Sequence, residues 1–416
     1  MTATTSHRTR TLILTTILHA FTHVYQVALV PLYLTIQSDL KLSHIGQATA
    51  LVTVMMISYF IPSYPMGVLA DRFSRKHLLG IGLLINGLGF VSLAHASNYA
   101  MALASVALAG LGGSFFHPAA TALIARLYPQ SPGRALGFIG IGASIGFFAG
   151  PIFAGWRATQ SGSWRTPVLD LGYAGIAAAV LFLLLAEPDE VAQDHPQRRK
   201  LPMFSTRPLL VVFIAMAFFF CLRDFAGFGM SSLGSLFLQN AHGFDVKTTG
   251  ITLSGLYLAS AISNPLFGHF SDRGRIRWIA ILLVISAVLA AVFPHLPETG
   301  LGAGLMAYGF FIMATYPILE AALMESVPDA VRGRVFGLFI TIGGLLGNLS
   351  HWIIGRWVEN LGETRNQVAS YYLPYTVMAV CILLSLGGLV CLHRLRRART
   401  PSTSPPFVTN PPSTIA

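Results

Sequence analysis

Two apolar runs, 45–69 and 78–97, flank a charged turn that reads Gly67-Val68-Leu69-Ala70-Asp71-Arg72-Phe73-Ser74-Arg75-Lys76. Each run is roughly 20 residues long, which as a helix rising about 1.5 Å per residue crosses a hydrocarbon core of about 30 Å. Lipid offers no partner to backbone N–H and C=O groups, so such runs close their own hydrogen bonds as helices. The turn is thereby the tip of a helical hairpin outside the lipid. Its cations Arg72, Arg75 and Lys76 put that tip on the cytoplasmic side by the positive-inside tendency.

The pattern recurs along the chain. Apolar runs at 11–34, 45–69, 78–97, 99–126, 134–156, 167–187, 208–238, 247–270, 278–294, 299–325, 334–358 and 370–393 predict twelve transmembrane helices in an all-α membrane protein. Only 10% of residues are charged, against about a quarter in soluble domains. The net charge of +11 would suit nucleic acid, but the cations are not spread evenly. Twenty Lys and Arg fall in one alternate set of connecting segments and six in the other, with Arg223 left inside a span. That asymmetry places both termini in the cytoplasm and makes anionic lipid, rather than nucleic acid, the partner of the basic face. The opening MTATTSHRTR precedes no small-residue cleavage site and is expected to lead a retained first helix. Cys221, Cys381 and Cys391 lie in apolar runs and read as buried thiols, without metal or disulfide spacing.

The second half echoes the first. Gly268-His269-Phe270-Ser271-Asp272-Arg273-Gly274-Arg275-Ile276-Arg277 is a weaker copy of the charged turn, 201 residues on. Pro317 and Pro328 follow Pro118 and Pro129 by 199, and Gly333-Arg334-x-x-Gly337 follows Gly133-Arg134-x-x-Gly137 by 200. Parallel repeats of this kind predict a two-half transporter, each half containing an inverted pair. The division is 1–187 for the first half, 188–207 for a polar linker, 208–393 for the second half and 394–416 for a Pro-, Ser- and Thr-rich disordered tail.

The ten-residue turn resembles the loop signature of the major facilitator superfamily, with Ser74 standing where that family usually carries glycine, which would make the turn less sharp. Gly146, Gly150, Pro151 and Gly155 in the fifth run resemble the signature that the superfamily associates with antiporters. Close helix packing by small residues is the alternative account. His19-x-x-x-His23-x-Tyr25-Gln26 followed by Pro31, with Phe116-His117-Pro118 in the fourth run, resembles the fosmidomycin-resistance type. These resemblances imply two six-helix halves rocking about a midplane cavity lined by the first, fourth, seventh and tenth helices. They imply export of small compounds, a phosphonate antibiotic being one known substrate type. Ser105 stands where drug-export families carry an arginine, so any proton coupling would use other groups.

An ionisable side chain deep in a span costs roughly 2.5–3.5 kcal/mol on insertion scales, so each needs a partner or a wet cavity. His19 and His23 lie one turn apart with Gln26 on the same face, and can bond neighbouring helices or line the cavity. The pair could also hold a metal, but with only two ligands and no carboxylate or cysteine nearby no metal is expected. Arg223-Asp224 in the seventh run stands 200 residues after His23, either as a site or as a buried lock to other helices. Adjacent residues point about 100° apart, so only one is expected to face the cavity. A guanidinium grips phosphate or carboxylate with two bonds, which makes Arg223 the first choice for an anionic group. The expected substrate-binding set is His19, His23, Gln26, His117, Arg223 and Tyr316. The expected proton carriers are His23, Asp224 and Glu320, with His19 and His117 as further candidates. A conformational latch is expected from Gly67, Asp71, Arg72, Arg75, Arg126, Asp272, Arg273, Glu325 and Arg332.

The reading is a secondary active transporter of the bacterial inner membrane, a monomer without cofactor, exporting a small and by preference anionic compound in exchange for protons. No P-loop is present, so a gradient rather than ATP should drive it. Its rivals are a proton-linked importer of a small organic acid, an intramembrane enzyme and a non-transporting sensor. An enzyme would need a nucleophile with its base or a fuller ligand set, and a sensor would carry an output domain. Asp71→Asn is expected to slow the transport cycle about tenfold while the substrate binding constant stays unchanged. A changed binding constant at normal turnover would argue against the latch.

Overall fold

The computed structural model describes residues 2–70, 72–187, 202–204, 206–328 and 331–399. Asp71, most of the expected linker and the tail from 400 lie outside the described residues. The first half comprises α1 (Thr2–Val27), α2 (Tyr33–Asp39), α3 (Ile45–Ala70), α4 (Arg75–Ala94), α5 (Tyr99–Gly113), α6 (Phe116–Leu127), α7 (Pro132–Ser161) and α8 (Arg165–Leu185). The second comprises α9 (Arg207–Ala241), α10 (Val246–Leu258), α11 (Ser260–Ser271), α12 (Arg275–Val292), α13 (Leu301–Ser326), α14 (Arg332–Asn360), α15 (Tyr372–Leu384) and α16 (Gly387–Arg399). The protein is all-helical among the described residues.

Among the described residues, eleven helical segments are long and apolar enough to span a membrane. The twelfth expected span, 247–270, is present as α10 and α11, broken at Ala259. Ser260 Oγ donates to the Tyr257 carbonyl at 2.6 Å. Pro265, inside α11, offers no N–H to the turn before it. One boundary also moves: residues 394–399, assigned from sequence to the disordered tail, continue α16 as helix.

Prolines set the other breaks. Pro31 lies four residues beyond Val27, where α1 ends and a single 3-10 turn, Val30–Leu32, leads into α2. Pro118 lies four beyond Ser114, in the gap between α5 and α6. In each case the ring removes the donor that the residue four positions earlier requires. The two charged turns show why the first tolerates serine. α3 and α4 are joined by four residues, and Ser74 adopts φ −58°, ψ 120°. α11 and α12 are joined by three, and Gly274 must take φ +109°, a conformation costly for any other residue.

The main contact between the halves is α3 against α14, with α7 against α10 beside it. It is densest on the face away from the termini. Glu359 Oε2 accepts from the Ile45 amide at 2.8 Å, so a carboxylate of one half caps the helix start of the other. Thr53 Oγ1 donates to the Asn348 carbonyl at 3.0 Å and accepts from the Trp352 amide at 3.1 Å. Ser235 Oγ donates to the Val30 carbonyl at 2.8 Å, and Gln239 to that of Pro31 at 3.3 Å. Each half is also tied internally at its rims. Arg165 bonds Asp39 at 2.7 Å and the carbonyls of Ala94 and Ala96, and Lys76 caps α8 through the Ala186 carbonyl at 2.7 Å. At the start of α10 the Thr248 amide donates to Asp245 at 2.6 Å and holds that carboxyl below its ordinary range.

Removing the cross-half cap should loosen this face. In a variant without the three native cysteines, Thr49→Cys, buried where α3 meets Gly355, is expected to react about tenfold faster with a membrane-impermeant thiol reagent once Glu359→Ala is added. The factor corresponds to a charge-assisted hydrogen bond of about 1.5 kcal/mol. An unchanged rate would show that the cap does not hold the face shut.

Candidate functional site

On the first half the α5–α6 break turns His117 toward α1, where it meets His19 and His23. His19 Nε2 and His23 Nε2 stand 3.0 Å apart. His19 Nδ1 donates to the Ile139 carbonyl of α7 at 2.8 Å, and His23 Nδ1 bonds Gln26 Oε1 at 2.9 Å. His19 stacks on Phe116 and His23 packs on Phe147, while Tyr59 of α3 lies edge-on to His117. His19 and His23 are buried, yet His117 is exposed although it lies in mid-span and touches three rings from other helices. His117 is therefore an accessible ring at the mid-depth of the first half.

The second half presents charge. Arg223 and Asp224 of α9 are both buried and pair with each other, Nη2 to Oδ1 at 2.6 Å and Nε to Oδ1 at 2.9 Å. The long guanidinium arm closes the angle that separates adjacent residues. The guanidinium lies 4.0 Å from the ring centre of Tyr316 on α13, and its Nη1 is buried without a hydrogen-bond partner. Glu320, one turn beyond Tyr316, is half-buried and within electrostatic reach of both charges. α14 makes room for the pair with glycines. A Cβ at Gly343 would stand 2.6 Å from Asp224 Oδ2, and one at Gly347 2.7 Å from Asp224 Cβ.

The structure gathers the candidate residues into two groups, His19, His23, Gln26 and His117 on one half and Arg223, Asp224, Tyr316 and Glu320 on the other. Among the described latch residues, Glu325 meets Arg275 at 2.8 Å, and Asp272 meets the same Arg275 at 3.1 Å. Arg332 Nε bonds the Met324 carbonyl at 2.7 Å, Arg75 is buried, Arg72, Arg126 and Arg273 are exposed, and Gly67 packs near Pro118. Gly146 lies against the Ala20 carbonyl and Gly150 against Val27 of α1, while Gly155 and the Pro151 carbonyl meet Val246 and Gly250 of α10. Those glycines thus serve close packing on two sides of α7, whatever else they do. Ser105 bonds Ser92 at 2.7 Å.

Sequence reasoning missed one polar chain. Tyr33 bonds Ser232 at 2.9 Å, Ser232 bonds His351 Nδ1 at 2.6 Å, and His351 Nε2 stands 3.3 Å from Asn348 Oδ1. It crosses from α2 through α9 to α14. The signals were an ionisable residue in the apolar run 334–358 and the 199-residue offset between Tyr33 and Ser232.

The model of the Major Facilitator Superfamily matches residues 12–351. The chain belongs to the major facilitator superfamily. It is 29% identical to multidrug resistance protein 1 of Bacillus subtilis over 68% of this chain and 72% of that protein. It is 23% identical to the fosmidomycin resistance protein of Escherichia coli over 90% of both. The fold matches a bacterial homologue of the human lysosomal transporter Spinster, in an inward-facing and unoccupied conformation, with a TM-score of 0.76 at 16% identity, covering 94% of this chain and 97% of that one. As a member of this superfamily the protein is a secondary transporter and not an enzyme, and it is integral to the membrane.

The glycine face of α14 makes the charged site sensitive to a methyl group. Gly343→Ala is expected to displace Asp224 and weaken substrate binding about tenfold, with Gly347→Ala similar. Gly337→Ala, where a Cβ meets nothing within 4 Å, should bind as the parent does. Equal affinities across the three, measured by equilibrium binding, would remove Asp224 from the site.

Proposed function

We propose that this facilitator exports a small anionic compound, which Arg223 grips from the cavity, and that protons move in exchange through Asp224 and Glu320. The observation that carries the anionic reading is the buried Nη1 of Arg223, a charged donor with no acceptor. Leaving such a group unsatisfied costs about 1–3 kcal/mol, which an anionic ligand recovers on binding. Export accords with the two relatives, both named as resistance proteins. With twenty of the chain's cations on the terminal side, that face is the cytoplasmic one and the cavity opens inward. The protein then works as a monomer in the bacterial inner membrane.

One feature favours a second reading, uptake of an anion together with a proton. Asp224 is the ion-pair partner of Arg223 among the described residues. An anion that takes the guanidinium leaves a buried carboxylate without its counter-ion, and binding a proton removes that charge. The proton then travels with the anion, and an inward proton gradient drives import.

Purified protein in liposomes holding a pH dye, with no imposed gradient, distinguishes the two. Phosphonates, carboxylates and cationic drugs are added outside in turn. Exchange makes the interior more alkaline as substrate enters, and co-transport makes it more acidic. Arg223→Ala is expected to lower the response to anions at least a hundredfold while the protein remains folded in the bilayer. A response to cations alone, or an anion response that survives Arg223→Ala, defeats the anionic reading.

A further inference from the structure

We infer that His19, His23 and His117 form a binding site for one divalent transition-metal ion. The coordinating nitrogens of the three rings all lie within 4.8 Å of one another. The Ile139 carbonyl can only accept, so His19 carries its proton on Nδ1 and presents a lone pair at Nε2. His23 Nε2 faces that lone pair at 3.0 Å, where a cation between the two rings closes the contact, and Gln26 holds His23 from its other side at 2.9 Å.

That cation is either a shared proton or a metal ion, and the third ring favours the metal. His117 comes from a different helix, stands at 89° to His19 and is exposed. Three imidazoles with an open position toward solvent match the ligand set of exchangeable zinc sites. The outer contacts, a backbone carbonyl and a side-chain amide, are the second-shell partners that orient metal-bound histidines. Nitrogen ligands bound to zinc at about 2.0–2.1 Å in tetrahedral geometry stand about 3.3 Å apart, so the pair need open by only about 0.3 Å. With no carboxylate or thiolate among the three, the set suits zinc, cobalt, nickel or copper and disfavours magnesium and calcium. The expectation of no metal rested on two histidines without a carboxylate or cysteine nearby; folding adds neither of these but brings up a third imidazole. This inference stands on the histidines alone, so it survives or fails independently of the role proposed for Arg223.

The test uses the full chain, purified in detergent without a histidine tag and stripped with chelator. Zn²⁺ is titrated in competition with a chromophoric chelator, and Co²⁺ is followed by its visible absorption. The expected result is one Zn²⁺ per chain with a Kd of about a micromolar or below, and intense cobalt bands of a four-coordinate site. His117→Gln, a replacement at an exposed position, and His23→Ala should each weaken binding a hundredfold or more. Gln26→Leu should weaken it about 10–100-fold through the second shell. Absence of binding, or binding that survives both histidine replacements, overturns the inference. So does a site that takes up a single proton and no metal.

Discussion

Backbone groups inside a bilayer must find partners within the protein, and here the irregular turn at Pro31 finds them in the other half. Val30 and Pro31 lie between α1 and α2, and their carbonyls accept from Ser235 and Gln239 of α9. The break in the first span is therefore also a seam between the halves. The break near Pro118 has the opposite use, since it swings His117 toward α1 and leaves its ring exposed. One proline closes a face, and the other builds a wall of the site.

The two halves share a scaffold but divide the chemistry. Tyr33 and Ser232, 199 residues apart, bond directly to each other. Repeat-related positions on the first and seventh spans therefore meet where the halves are closed. By the same relation His23 and Arg223, 200 apart, belong to opposite walls at comparable depth. One half gathers three imidazoles and the other holds a buried ion pair, so the repeats agree in fold and differ in chemistry.

Much of this was legible in the sequence because it depends on local pattern. Apolar run length gives the spans, and a constant offset near 200 gives the two halves. What escaped depends on geometry that no local pattern encodes. His117 lies 94 positions after His23 in the chain, and only the bend at Pro118 brings their rings within 5.8 Å. Arg223 and Asp224 were separated by the angle between adjacent helical positions, yet a long flexible arm closes that angle. Ser74 suggested a weakened turn, but the first turn is one residue longer than the second, and Ser74 itself takes no positive φ. His351 lies outside the helices that the resemblance places around the cavity, although the cost of a buried ionisable group applies to every span.

The helix that unites these features is α14. Gly343 and Gly347 seat Asp224, while Gly344 between them takes the ring of Phe60 from α3. One turn farther from the terminal face, the Asn348 carbonyl and the Trp352 amide bond Thr53, and Glu359 caps α3. A single rigid helix thus carries both the wall behind the ion pair and the bonds that keep the far face shut. Any ligand that changes the partner of Asp224 acts on a side chain with no free space against α14. The seat of the ion pair and the cross-half bonds therefore lie on one continuous helix without an intervening loop, so a displacement of α14 would be felt at both.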